Sequence, residues 1–175
     1  AIGENAGDAL TSGSDNTFVG DEAGGATSTG ANNVAVGSAA LDANVSNGGN
    51  TAIGDSALTA SNGGYYNTAV GYQAGDELTT GTQSVFIGRG AGHSVTTGSA
   101  NAALGREALE VNTTGASNTA LGYQSLKANT TASDNVAVGS AALGANTTGT
   151  QNVAVGRSAG EALTTGGYSV AIGAY

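Results

Sequence analysis

The sequence predicts an all-β parallel β-solenoid, a β-roll of about ten 17-residue coils that takes up residues 1–175 as a single repeat domain. Three observations predict it. Gly3, Gly20, Gly37, Gly54, Gly71, Gly88, Gly105, Gly122, Gly139, Gly156 and Gly173 are evenly spaced along the chain without an insertion or deletion. Each is preceded by a short β-branched or aliphatic run of the form N-[TV]-A-[VIL]-G. Each repeat closes with Thr-Thr-Gly or a relative, as at Thr79-Thr80-Gly81, Thr113-Thr114-Gly115 and Thr164-Thr165-Gly166, which is turn chemistry. Repeats built of helix pairs are excluded, because those units need about 30 or more residues and each interior glycine costs a helix ~1 kcal/mol. Stacked at ~4.8 Å, the coils make a rod roughly 48 Å long.

The strand comes first in each unit. Asn or Ser opens it (Asn16, Asn33, Asn50, Asn67, Ser84 and onward), followed by Thr or Val, the β-branched types a strand prefers. Ala follows, or Phe at Phe18 and Phe86, and then an aliphatic residue before the glycine. The aliphatic column is expected to face a core, so Val70→Asp is expected to unfold the stack locally. The Ala and Thr/Val columns are expected to leave one surface too apolar for water. Each coil is expected to hold two or three short strands.

After the glycine come two variable positions, then Ala in every full repeat but one (Ser125), then Leu or Gly. That choice is coupled to the residue three places on. Leu41, Leu58, Leu109, Leu126 and Leu143 are followed by Asn44, Ser61, Asn112, Asn129 and Asn146, whereas Gly7, Gly75, Gly92 and Gly160 are followed by Leu10, Leu78, Val95 and Leu163. Each coil thus supplies one large side chain to a shared interior spot from either place, as dense packing requires. Gly24 with Thr27 is the weak case.

Composition narrows the function. The chain has no Cys and one His, His93, which excludes disulfides, thiol redox chemistry, Cys/His zinc sites and a Ser/His site with a spare base. No cofactor is expected and no residue is assigned as catalytic; a uniform solenoid also offers no cleft for a carboxylate pair. Val, Leu, Ile and Phe number 29 of 175 residues, below the ~20% of an ordinary core. The formal charge is −9, with no Lys or Arg before Arg89, so neither nucleic acid nor anionic lipid is an expected partner. No apolar run is long enough for membrane insertion. The first residue is not Met and falls inside a repeat, so the chain reads as a segment of a longer fibre.

Ser169-Val170-Ala171-Ile172-Gly173, Ser84-Val85-Phe86-Ile87-Gly88 and the Asn-Val-Ala-Val-Gly copies resemble the head repeats of trimeric autotransporter adhesins. The longer Asn67-Thr68-Ala69-Val70-Gly71-Tyr72-Gln73-Ala74-Gly75 and Asn118-Thr119-Ala120-Leu121-Gly122-Tyr123-Gln124-Ser125-Leu126 resemble the 17-residue glycine-rich repeats of phage tail fibres and bacterial surface fibres. The resemblance spans the chain and implies a left-handed roll in side-by-side trimers. Adhesin heads have shorter coils, so their trimer geometry does not transfer residue by residue.

Asp21, Glu22, Asp55, Asp76 and Glu77 lack the spacing of calcium rolls and are expected to be solvated, as is His93. Asn44, Asn112, Asn129 and Asn146 begin glycosylation sequons but would stack too closely for glycans and are expected to bond the next coil. The threonine column Thr11, Thr79, Thr96, Thr113, Thr130, Thr147 and Thr164 is similar to ice-binding solenoids, except that Thr-Thr leads into a turn. Arg89 or Arg106 is expected to pair with Glu107 or Glu110 across coils, worth little at the surface. Tyr65, Tyr66, Tyr72, Tyr123, Tyr168 and Tyr175 occupy variable columns and are the candidates for ligand or inter-chain contact. The expected role is a non-catalytic structural and adhesive segment of an extracellular homotrimeric fibre, on a cell surface or virion, that meets a host-surface glycan or protein. The alternative is a monomeric ice- or glycan-binding solenoid.

Overall fold

The computed structural model describes residues 1–174; Tyr175 lies outside the described residues. Three-residue strands repeat along the chain: β1 (Thr17–Val19), β2 (Val34–Val36), β3 (Thr51–Ile53), β4 (Thr68–Val70), β5 (Val85–Ile87), β6 (Ala102–Leu104), β7 (Thr119–Leu121), β8 (Val136–Val138), β9 (Val153–Val155) and β10 (Val170–Ile172). They form one ten-stranded parallel sheet in sequence order, always in the same register, as in Thr68↔Val85, Ala69↔Phe86, Val70↔Ile87. Each coil therefore contributes one strand and is otherwise turn, where two or three strands were expected. The reason lies in the backbone. Counting from the recurrent glycine as position 1, positions 3, 5 and 13 all have left-handed φ, between 49° and 72° in the ten coils. Those three bends break any longer strand.

Position 1 is where glycine is obligatory. Gly105 has φ +139°, and a Cβ there would sit 2.5 Å from the carbonyl oxygen of Gly122 in the next coil. Position 5 tolerates two solutions. Gly92 adopts φ +61° freely, whereas Leu109 at φ 55° carries the ~1–2 kcal/mol strain of an L-residue in this region. Full burial of the leucine returns ~1.5–3 kcal/mol, so the exchange closes near balance.

The strands also correct which side faces inward. Apart from the exposed Ala1 and the half-buried Ala6 and Ala171 near the two ends, the alanines of positions 4 and 16 are buried. No member of the aliphatic column at position 17 is buried, and Leu104 is 47% exposed. The aliphatic column does not face the core, and the Ala column is not part of the outer surface. Strand alternation puts positions 15 and 17 together on one face and 16 on the other. A narrow coil already filled by the position-4 alanine and one leucine has room for a methyl group per strand, not for a column of Val, Ile and Leu. Where room remains, phenylalanine takes it. Phe86 lies beside Gly75 and Gly92, and Phe18 beside Gly7 and Gly24, so close that a Cβ on any of the four would meet the ring. Phe18 thereby supplies the bulk missing from the Gly24–Thr27 coil.

Polar ladders close the interior. The buried asparagines at position 14 accept from the backbone of the next coil and donate to a turn carbonyl: Asn67 N–H to Asn50 Oδ1 at 2.9 Å, Asn50 Nδ2 to Gly64 O at 2.9 Å. Three of the sequon asparagines form a second ladder, with Asn129 Nδ2 donating to Asn112 Oδ1 at 2.8 Å and Asn146 Nδ2 to Asn129 Oδ1 at 3.0 Å. It ends at Asn146, whose Oδ1 has no partner because Leu163 occupies the next rung. Asn44, with Thr27 and Ser61 on the neighbouring rungs, does not bond the next coil as expected but donates within its own, Nδ2 to Asn47 O at 3.1 Å. All four sequon asparagines are fully buried.

Candidate functional site

The coil cross-section sorts the surface chemistry into three sides. Every Lys and Arg, His93, and all acids except Asp15 and Asp134 fall at positions 2 to 7. Positions 9 to 13 form a hydroxyl-rich turn side. Positions 15 and 17 form the outer sheet face, lined by Thr, Val, Ile, Leu and one Ala without a charge or an aromatic ring.

On the charged side, Glu107 is the centre. Its side chain is only 9% exposed and receives Arg106 Nη2 at 2.8 Å, Arg89 Nη1 at 3.3 Å, Lys127 Nζ at 3.1 Å and Gln124 Nε2 at 2.8 Å. Lys127 also reaches Glu110 at 3.1 Å. The expected Arg–Glu pair is present, but as a clamp over three coils on a sheltered carboxylate instead of an isolated surface pair. The hydrogen bonds from Gln124, Lys127 and Arg106 pull the Glu107 carboxyl down from 4.5 to about 2. A carboxylate whose folded value lies below its unfolded one stabilises the fold above pH ~4.5, and this contribution is lost as pH falls towards 2. The difference in melting temperature between wild type and Glu107→Gln, followed by circular dichroism, is expected to shrink between pH 5 and pH 2. A gap of constant size over that range contradicts the clamp.

Tyr72 and Tyr123 belong to this side. The Arg89 guanidinium lies 5.9 Å from the Tyr72 ring centroid and Arg106 lies 5.5 Å from that of Tyr123, so both rings hold arginines in place. His93 is less solitary than expected, half-buried with Nε2 3.6 Å from Asp76 and Nδ1 3.2 Å from Ser94 Oγ. Burial pushes the Asp76 carboxyl up, and His93 opposes it. Among the described residues no group of three or more acidic or histidine side chains is placed to hold a metal ion, and no helix is long and apolar enough to cross a membrane.

On the turn side the threonine hydroxyls are committed. Thr79 Oγ1 donates to Thr96 O at 2.9 Å, Thr96 to Thr113 O at 3.0 Å and Thr113 to Thr130 O at 3.1 Å. Their protons serve the stack, each bonding a carbonyl of the next coil. Tyr65 and Tyr66 lie together on this side, ring centroids 6.3 Å apart, at the head of a shallow depression of about 380 Å³. Tyr168 stands alone and 83% exposed.

The structure thus separates the five described tyrosine candidates into two arginine supports, one exposed pair and one lone ring. Sequence reasoning missed the Glu107 clamp and the depression below Tyr65 and Tyr66. The signals were present, as Arg at position 2 in consecutive coils beside Glu at position 3, and as Ala31-Asn32 and Gly48-Gly49 below Tyr65-Tyr66 at positions 12 and 13. Comparison with known proteins brings no match to a family model, a curated protein or a solved structure.

Proposed function

We propose that this chain is a non-catalytic structural and adhesive segment of an extracellular fibre, borne on a bacterial surface or a virion, in which three copies lie side by side. The observation that carries the reading is the outer sheet face. Solvent-facing apolar residues are ordinary when scattered, but here an unbroken aliphatic column at position 17, beside Thr, Val and one Ala at position 15, forms an uncharged strip about 48 Å long. Its two side-chain columns rise in register, one step per coil, so a second copy meets an identical flat ladder with complementary spacing. The charged side gives the assembly an acidic, soluble exterior. The three-fold order follows the resemblance of the repeats to adhesin heads and surface fibres.

Sedimentation equilibrium tests the reading. A particle of three 16.5 kDa chains is expected. Val70→Asp combined with Leu121→Asp is expected to give a monomer with an unchanged circular dichroism spectrum, because both side chains point outward and neither belongs to the core. A wild-type monomer, or a variant that unfolds instead of dissociating, overturns the proposal.

A further inference from the structure

We propose that the depression headed by Tyr65 and Tyr66 is a binding site for an uncharged carbohydrate. The assignment deepens the adhesive part of the fibre reading, and its test does not depend on oligomeric state.

Four observations point to it. The first is exposure. Position 13 has left-handed φ in every coil, so the fold sets the Tyr66 backbone at +60° whatever side chain stands there. The Tyr66 ring is 68% exposed beside a Tyr65 that is 42% exposed, so burial accounts for neither aromatic side chain.

The second is shape. Counting coils from the one that starts at Gly3, coils 2 and 3 carry only small residues below the two rings, and Tyr66 lies so close over Gly49 that a Cβ there would be 2.6 Å from the ring. The resulting ledge runs along the rod for about two coil steps, roughly 10 Å.

The third is polar equipment. Thr29 and Ser46 hydroxyls and the Asn32 amide are exposed and make no hydrogen bond among the described residues, unlike the committed threonines of position 9. A sugar ring offers an apolar C–H face to stack on a tyrosine and rim hydroxyls to pair with such groups. Tyrosine suits it, with an apolar face and a polar tip.

The fourth is charge. No ionisable side chain other than the tyrosines lies at positions 9 to 13 of coils 2 to 4; the nearest on that side is Asp15, one coil below Asn32. The site therefore favours a neutral ligand over the anions that the Arg89–Arg106 edge would attract.

Native gels cast with neutral polysaccharides (a galactomannan, a mixed-linkage β-glucan and starch) and with one polyuronate test the assignment. Retardation is expected in at least one neutral gel, with the apparent dissociation constant rising at least tenfold in Tyr66→Ala and staying within about twofold in Tyr66→Phe. Ala100 already holds the equivalent backbone conformation at φ 57°, so the alanine variant is expected to fold, with an unchanged melting temperature as the check. Passage through all neutral gels without retardation overturns the proposal. So does retardation that survives Tyr65→Ala and Tyr66→Ala, or one confined to the polyuronate gel and abolished by Arg89→Ala. A monomer that is retarded leaves this site standing while the fibre reading falls, and a trimer that is not retarded does the reverse.

Discussion

Gly105→Ala is expected to split the rod into two unequal segments that melt independently. The new methyl group would lie 2.5 Å from the carbonyl oxygen and 2.6 Å from the carbonyl carbon of Gly122. Both are backbone atoms of the next coil, so no side chain can swing aside to admit it. The φ of +139° adds strain that an alanine cannot relieve without moving the strand end. The residue's own N–H bonds Ile87 O at 2.8 Å, and Gly122 N–H bonds Leu104 O at 2.8 Å, so any shift breaks ladder bonds on both sides. Together these terms amount to at least ~3 kcal/mol, in the range reserved for named structural faults. Because each coil of a solenoid touches only its neighbours, the damage stays at one junction instead of lowering the stability of every coil equally. Calorimetry is expected to show two transitions where wild type shows one. A single transition within about 2 °C of wild type would mean that the junction between the Gly105 and Gly122 coils stretches to admit the methyl, contrary to the tight glycine column along the rod.

Phe86→Ala is expected to cost ~3–5 kcal/mol, the upper part of the range for core truncation. Phe86 is fully buried, and its ring fills the space above the Cα atoms of Gly75 and Gly92. Neither glycine has a side chain to collapse into the cavity, and the Leu58 side chain that reaches the same spot above Gly75 is itself fully buried. Phe86→Leu retains most of the volume and is expected to lose less than half as much. Urea unfolding of the two variants measures the difference. A loss below about 1 kcal/mol for the alanine variant would show that the ring is not what fills the two glycine coils.

Much of this architecture could be read directly from the residues. The 17-residue period, the strand ahead of each recurrent glycine, the asparagine ladders and the Leu/Gly exchange each leave a periodic mark that survives without coordinates. The facing of the strand did not come through, because Thr/Val, Ala and Val/Ile/Leu are all compatible with an interior. Hydrophobicity alone assigns the largest residues inward, and here the geometry of a narrow coil reverses it. The deciding clue was size coupling. Phe18 and Phe86 interrupt the alanine column only where the adjacent position-5 residues are glycine, Gly7 with Gly24 and Gly75 with Gly92. A volume exchange of that kind occurs only among side chains that share one cavity. The tyrosines were legible as exposed, but their separate settings depend on neighbours one and two coils away. Arg89 over the Tyr72 ring and Gly49 beneath Tyr66 matter only once the coils are stacked.

The hydrogen bonds that join one coil to the next run along the rod, so a pull on its two ends loads them lengthwise and one coil at a time. A coil that yields releases its whole length, about 56–61 Å of extended chain, from a step that occupied ~4.8 Å. With coils of identical length and register throughout, the released lengths are equal from the first to the last. Under tension the molecule behaves as a reserve of equal increments, lengthening in steps while the coils still stacked keep their outer face and their ledge of tyrosines intact.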